Sequence, residues 1–85
     1  MDTFLALADP TRRSILELLA QSGQLAASEI AARFNITPSA ISQHLKVLKE
    51  ARLVKMSKKA QSRIYKLDVA TISQIERWTN HLQQR

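Results

Sequence analysis

Gln43 has the most to offer a base edge of any side chain in this sequence. Its amide both donates and accepts, so it can hold N6 and N7 of an adenine together; Ser42 beside it can donate to or accept from any base. Both fall early in residues 37–55, TPSAISQHLKVLKEARLVK, where Ile41, Leu45 and Leu48 recur at i, i+4 and i+7. That spacing puts three apolar side chains on one face of a helix and leaves Ser39, Ser42, Gln43, Lys46 and Lys49 on the others. Thr37 suits an N-cap, and Pro38 the first helical position, where its missing N–H costs nothing. A helix so built can pack by its body and offer its N-terminal half to a DNA major groove. Pro38 brings only apolar contact to a base, and Ser39 either contacts a base or helps to cap the helix.

Charge is concentrated in the same region. From Lys46 to Lys66 there are eight basic residues and one acid, Glu50, a balance of +7; the remaining five basic and six acidic residues give −1, so this quarter of the chain carries the whole net charge of +6. A scatter of lysines keeps a protein in solution, whereas a focused patch points to a polyanionic partner. Lys46, Lys49, Lys58, Lys59 and Arg63 are therefore read as phosphate contacts rather than as a solvated face.

Other residues with chemical potential lead nowhere as specific. His44, beside Leu45, bonds backbone or phosphate at the edge of the helix, or less simply serves a catalytic or metal role. Arg12 and Arg13 either touch phosphate or pair with Asp9 or Glu17. The chain has no cysteine, which removes disulfides, thiolate metal sites and Cys nucleophiles. There is no nucleophile–base pair of recognisable spacing, no glycine-rich phosphate loop and no carboxylate pair in apolar surroundings, so the sequence does not read as an enzyme and calls for no cofactor. No apolar stretch approaches the roughly 20 residues that span a bilayer. Met1 and Asp2 lead straight into an amphipathic segment without a basic leader, so the chain is expected to be cytoplasmic and to have no membrane partner.

The elements that must position these residues follow from length and periodicity. Eighty-five residues make one small domain, spanning 1–85. Phe4, Leu5, Leu7 and Ala8 form a short first helix. Asp9 caps a second that starts at Pro10 and runs to about Ala20, burying Ile15, Leu18 and Leu19; Gln21 to Gln24 is a loop broken by Gly23. A third helix covers about 27–34, with Asn35 as a left-handed C-cap, and the short step to Thr37 makes a helix-turn-helix with the fourth. Residues 53–57 and 62–67 read as two strands of a hairpin. Asp68 then caps a last helix striped by Ile72, Ile75, Thr79 and Leu82. Trp78, beside that stripe, packs in a core or interface or lines a ligand pocket. The expected fold is mainly α with a small β-hairpin, a winged helix-turn-helix with five helices and a two-stranded wing. Phe4 and Leu7, with Ile72, Ile75, Trp78, Thr79 and Leu82, are more apolar surface than the hairpin and first helix can cover. They are expected to form a dimer interface.

Four segments, LADPTRRSIL from Leu7, ISQHLKVL from Ile41, ARLV from Ala51 and RIYKLD from Arg63, resemble the ArsR/SmtB family of winged-helix repressors. The similarity extends from about Phe4 to Leu82. It implies a homodimer built from the first and last helices, sitting on an operator until an inducing signal lowers its DNA affinity. It assigns base contact to Pro38, Ser39, Ser42 and Gln43, and makes the hairpin a wing carrying Lys58, Lys59, Ser62 and Arg63. Three departures stand out. Arg52 occupies a position usually glycine, where φ > 0 is expected. Ala60-Gln61 replaces a usual Glu-Gly at the wing turn. Metal-sensing members use Cys in the third helix or an Asp/His set in the last. Here the third-helix region has no Cys, and the last helix offers only Asp68 and His81, with Ala70 and Gln84 where further ligands would stand. Metal sites need three or four convergent donors, so no metal site is expected.

The leading expectation is a sequence-specific, dimeric DNA-binding transcriptional repressor that does not sense metal, with double-stranded DNA of pseudo-palindromic sequence as partner. The alternative is a nonspecific nucleic-acid-binding module, nucleoid or RNA, on the same fold. A third class, an interaction domain that has lost DNA binding, would have no need of the +7 segment.

Overall fold

The computed structural model describes residues 2–84. The elements are α1 (Thr3–Leu7), α2 (Pro10–Ser22), β1 (Gln24–Ala26), α3 (Ala27–Ala31), α4 (Pro38–Glu50), β2 (Val54–Lys59), β3 (Ser62–Leu67) and α5 (Val69–Gln83). This is the five-helix winged helix-turn-helix that the periodicity predicts. The core is a single cluster in which Ile15, Leu19, Ile30, Ile41, Leu45, Leu48 and Leu53 are fully buried and Tyr65 closes one side.

The helix starts follow their capping chemistry. The Asp9 carboxylate accepts from the Arg12 amide at 2.9 Å, with Pro10 in the first turn of α2. Thr37 Oγ1 accepts from the Ala40 amide at 3.1 Å, with Pro38 in the first turn of α4. The Thr37 bond leaves Ser39 without a capping task, and Ser39 is exposed. Asp68 stands at the N-cap position of α5 but its side chain makes no cap bond; its carbonyl accepts from Ile72 N–H and its amide donates to Leu53 O at 2.9 Å.

The end of α4 explains how an arginine occupies a usual glycine position. Arg52 has φ 61°, the left-handed region expected there. Its amide donates to Lys49 O at 3.0 Å and the next, Leu53, donates to Leu48 O at 2.9 Å. These are the two bonds of a Schellman C-cap, with Leu53 and Leu48 as its apolar pair, both fully buried. The chain accepts a conformation costly for a non-glycine residue because two backbone bonds and two buried leucines hold it there.

Several boundaries differ from the sequence reading. The hairpin is present, but it is part of a three-stranded antiparallel sheet in the order β1-β3-β2. β1 begins at Gln24, the last residue of the expected loop, and continues through Leu25 and Ala26, for which no strand is expected: Gly23, φ 84°, is the whole turn after α2, and Gln24, Leu25 and Ala26 then pair with Lys66, Tyr65 and Ile64. α3 stops at Ala31 rather than Phe34. Amides of Arg33 and Phe34 reach back only three residues, to Ile30 and Ala31. Asn35 is not left-handed, since Arg52 and Ala60 are the non-glycine residues with positive φ among those described. In α2, Leu16 rather than Leu18 joins Ile15 and Leu19 in the core. The wing turn is the two-residue Ala60-Gln61, with Lys59 opposite Ser62 and φ 56° at Ala60 only, the pattern of a type II′ hairpin.

Asp9 supplies a test of this capping. The hydrogen bond from the Arg12 amide holds its carboxyl below the usual range; partial burial opposes this, and the neighbouring His44 and Arg12 charges add to the lowering. A carboxyl whose folded pKa is depressed stabilises the fold above its unfolded value, and that stability is lost as pH falls through the folded value. Asp9→Ala is expected to cost about 1 kcal/mol at neutral pH, the usual loss for an N-cap. In urea unfolding at descending pH, the advantage of the wild type should shrink through the acid range. An advantage that persisted undiminished at the lowest pH would show that the cap charge contributes nothing.

Candidate nucleic-acid interface

Burial of one face of α4 decides what the others can do. Ile41, Leu45 and Leu48 are buried, so Pro38, Ser39, Ser42, Gln43, Lys46 and Lys49 are exposed. A cleft of about 290 Å³ lies between α4 and the sheet, bordered by Ser42, Gln43, Lys46 and Lys49 on the helix side and Arg63 on the sheet side, with Met56 and Tyr65 also lining it. Arg63 reaches it through strand alternation, because β3 turns Tyr65 to the core and residues two apart share a face. Lys58 pairs with Arg63 in register and lies on that face too. Five of the residues read as DNA contacts therefore converge on one cleft, and Lys58 flanks it.

The remaining expected contacts sit apart from it. Pro38 and Ser39 belong to the first turn of α4 and do not line the cleft. Lys59 and Ser62 pair with each other beside the turn and, by alternation, lie on the opposite face of the hairpin. Ser62 does border a second depression of about 270 Å³, with Arg63, Gln61, Ala26, Ala27 and Ser28. Ser28 is a polar residue there that nothing in the sequence singles out, because the β1–β3 pairing that brings the start of α3 to the wing leaves no periodic signal, and Gln61 stands out in the sequence only as part of the wing turn.

The electrostatics suit an anion. Lys58 faces Arg63 and Lys55 faces Lys66 directly across the β2–β3 ladder, an arrangement that costs stability between like charges. Among the described residues, no lysine or arginine makes an ion pair with a carboxylate; the one such approach is His44 Nδ1 to Asp9 Oδ2 at 3.9 Å. The positive field over the cleft is therefore not neutralised from within the fold.

His44, Arg12 and Arg13 take up contacts that the sequence left open. Arg12 Nε donates to Ala6 O at 2.8 Å and Nη2 to Leu5 O at 3.2 Å; Arg13 Nη1 donates to Leu7 O at 2.8 Å and Ala8 O at 3.1 Å. Both guanidinium groups thus donate to carbonyls at the end of α1, where a cation also complements the helix dipole. Neither pairs with Glu17. Half-buried His44 has Nδ1 3.4 Å from Arg12 Nη1.

Far less of the apolar surface is covered at α1 and α5. No residue of α5 is buried. Phe4 is 51% exposed, Trp78 49%, Leu82 60% and Val69 69%, while Leu7, Ile72, Ile75 and Thr79 are half-buried. Phe4 and Trp78 pack on each other with ring centroids 5.1 Å apart, at the mouth of a shallow cleft of about 240 Å³ that also involves Thr71, Gln74 and Ile75. Asp68 and His81 stand at opposite ends of α5, about 20 Å apart at 1.5 Å per residue, so one chain cannot bring them together. Among the described residues there is no cluster of three or more His, Cys, Asp or Glu that could hold a metal, and no helix is long and apolar enough to cross a membrane.

Residues 9–56, from the α2 cap through α4 into β2, match the family model of bacterial regulatory proteins of the arsR family. The chain is 39% identical to the transcriptional repressor SdpR of Bacillus subtilis over 91% of its own length and 84% of that protein's. Its fold is similar to the crystal structure of a possible transcriptional regulator for arsenical resistance, with a TM-score of 0.86 and 38% identity, covering the whole of this chain and 88% of the other. It is also similar to the solution structure of a homodimeric winged helix-turn-helix DNA-binding domain of a possible ArsR-family regulator from Mycobacterium bovis, with a TM-score of 0.78 and 26% identity over 95% of this chain and 74% of that one. With the family model covering more than half of the chain and these likenesses nearly all of it, the chain belongs to the arsR family of DNA-binding, non-enzymatic transcriptional regulators.

Proposed function

We propose that this regulator is a homodimeric repressor that binds a pseudo-palindromic operator, reads it with Ser42 and Gln43, and is not controlled by metal. The observation that carries the reading is the cleft where two groups suited to base edges meet the unpaired cations Lys46, Lys49 and Arg63. Pro38 and Ser39 lie one turn earlier on the same helix and contact neighbouring bases. Lys58, Lys59 and Ser62 anchor the wing on phosphate, Lys59 and Ser62 from the far side of the hairpin tip. The names of SdpR, a repressor, and of the homodimeric Mycobacterium bovis domain support repression and pairing respectively.

Pairing has a physical motive in the bare face formed by Phe4 and Leu7 of α1 and Ile72, Ile75, Trp78, Thr79 and Leu82 of α5. A two-fold axis through that face covers it on both copies and sets two reading helices about 34 Å apart, one turn of duplex. Freedom from metal control rests on the chain's lack of cysteine and on Asp68 and His81 standing at opposite ends of α5, where three or four convergent donors are required.

Reading and anchoring separate by mutation. Ser42→Ala and Gln43→Ala should each relax the preference at one base pair by about 1–3 kcal/mol. Arg63→Ala and Lys58→Ala should weaken operator and random duplex alike, and each should flatten the salt dependence by roughly one ion, the counterion its phosphate then keeps. Selection of duplexes from a random library, with salt titration of the variants, checks both. If Gln43→Ala kept the selected sequence while Arg63→Ala changed it, the reading element would be the wing; if the wild type selected no sequence at all, a nonspecific module would be the better description.

Ile75→Asp puts a carboxylate into the seam, where a charge without a partner is costly. The expected product is a monomer or a much weaker dimer, with operator affinity reduced more than by removal of any one phosphate-binding side chain. Light scattering and operator titration on one sample measure both. A dimeric Ile75→Asp protein with normal binding would move the interface elsewhere.

Zinc, nickel, copper and cadmium at low micromolar concentration should leave the operator complex intact in a mobility-shift titration. Stoichiometric zinc binding that disappears in His81→Ala would restore α5 as a sensing site.

A further inference from the structure

We propose that Arg12 and His44 form a positioning pair that fixes the angle between α1 and α4, and with it the half-site spacing that a dimer can read. This rests on the dimeric reading above, and uses contacts that reading does not. The Arg12 guanidinium is spread across two elements. Nε and Nη2 hold Ala6 O and Leu5 O on α1 at 2.8 and 3.2 Å, and Nη1 lies 3.4 Å from His44 Nδ1 on α4. The Arg12 backbone is itself fixed, since its amide donates to Asp9. A second polar tether joins the same two helices seven residues further along α4, where Thr3 Oγ1 donates to Ala51 O at 3.2 Å. Two attachment points about 10 Å apart along a helix set its direction as well as its position.

The chemistry of the pair is one-sided. Guanidinium has donors only, so in this contact His44 Nδ1 is the accepting atom. Asp9 Oδ2, 3.9 Å from the same nitrogen, is too far to bond it. A side chain that presents an oxygen at the place of Nδ1 can therefore replace the histidine in this contact. Asparagine does so, and it lacks the distal N–H with which His44 could reach a phosphate.

The geometry matters because α1 belongs to the proposed dimer seam and α4 to the reading surface. Each copy's reading helix is referred to the two-fold axis through α1, so slack between α1 and α4 becomes slack in the distance between half-sites. The bond is worth little to affinity for one half-site and much to the discrimination of spacings.

The test uses the full chain and duplexes carrying two copies of its selected half-site, at the selected spacing and at spacings one and two base pairs either side. The wild type should prefer one spacing by about tenfold or more, each wrong pair position costing on the scale of a mismatch. Arg12→Ala and His44→Ala should each reduce that preference to about threefold or less, while sedimentation shows the dimer retained and affinity for a single half-site holds. The double variant should be no flatter than either single one, because coupled partners are not additive. His44→Asn should keep the wild-type preference. Arg12→Ala also removes bonds to α1 and so can weaken the fold; His44→Ala leaves those bonds in place and decides the matter alone. Loss of affinity in equal measure at every spacing, multiplying effects in the double variant, or His44→Asn behaving as His44→Ala would each overturn the proposal and leave the dimeric reading standing. A wild type that is monomeric, or indifferent to paired half-sites, would sink that reading and this proposal with it.

Discussion

A shift of one residue along α4 turns its side chains by about 100°, which would carry Ile41, Leu45 and Leu48 out of the core and Ser42, Lys46 and Lys49 into it. The rest of the structure depends on that shift being prohibited. These three residues are among the largest side chains that are fully buried, and removing any one of them from the core costs several kcal/mol. On the proposed reading, the surface that meets DNA is therefore specified by residues that never touch it. The same burial leaves Lys46 and Lys49 one turn and two turns beyond Ser42 on the exposed side, so the groups proposed to read bases and to neutralise phosphates share a face without any contact between them having to enforce it.

The wing is tied to that helix by backbone rather than by side chains. The Schellman end of α4 at Arg52 reverses the chain into Leu53 and Val54, both buried, and Asp68 N–H closes the other end of the hairpin on Leu53 O. β2 and β3 thus leave and return at one buried residue. Strand alternation then carries the in-facing row from Tyr65 out to Arg63. Two left-handed non-glycine residues, Arg52 and Ala60, bracket β2. Both conformations cost energy in an L-residue with a Cβ. The first is offset by two hydrogen bonds and a buried leucine pair; the second stands at an exposed turn, where the closing of the β2–β3 ladder opposes it.

Whatever depends on periodicity or local capping was legible in the sequence. Asp9 with Pro10, Thr37 with Pro38, the α4 stripe and the alternation of the hairpin all act within one turn or one strand, and the positive φ at Arg52 followed from the family resemblance. What depends on distant partners was not. β1 is three residues long, too short to alternate, and exists only because β3 lies 40 residues away to pair with it. Leu16 rather than Leu18 enters the core beside Ile15 and Leu19, a choice of face made by the elements packed on α2 and not by its own spacing. Asp68 has the right residue type for a cap but makes a backbone closure instead. Arg12 and Arg13 have acids near them in the sequence and carbonyls near them in the fold, because a five-residue helix ends where their side chains can reach it. At the candidate interface, residue types named Ser42, Gln43 and the cations, whereas the convergence of Arg63 with α4 needed the packing of Tyr65 in the core, and the approach of Ser28 to the wing needed the third strand.

The bare face of α5 also bears on how stably this small domain can hold together. Fifteen residues are about the length at which an isolated helix is marginal in water, and α5 buries none of its residues fully against its own chain. Its half-buried members, Ile72 and Ile75, meet the core only from one side, and Trp78 finds a single aromatic neighbour in Phe4. On the dimeric reading the same surface stabilises the helix and joins the copies, so order in α5 and association are one equilibrium that shifts with protein concentration. The α2–α4 core does not share this dependence, since its buried residues close on one another within a single chain. A dilute chain would then keep its reading helix in shape while losing the axis that sets one reading helix against the next. Recognition of a single half-site and recognition of an operator are thus physically separable in this fold. On that reading the first is stored in the packing of α4 and the second in the proposed seam of α1 and α5.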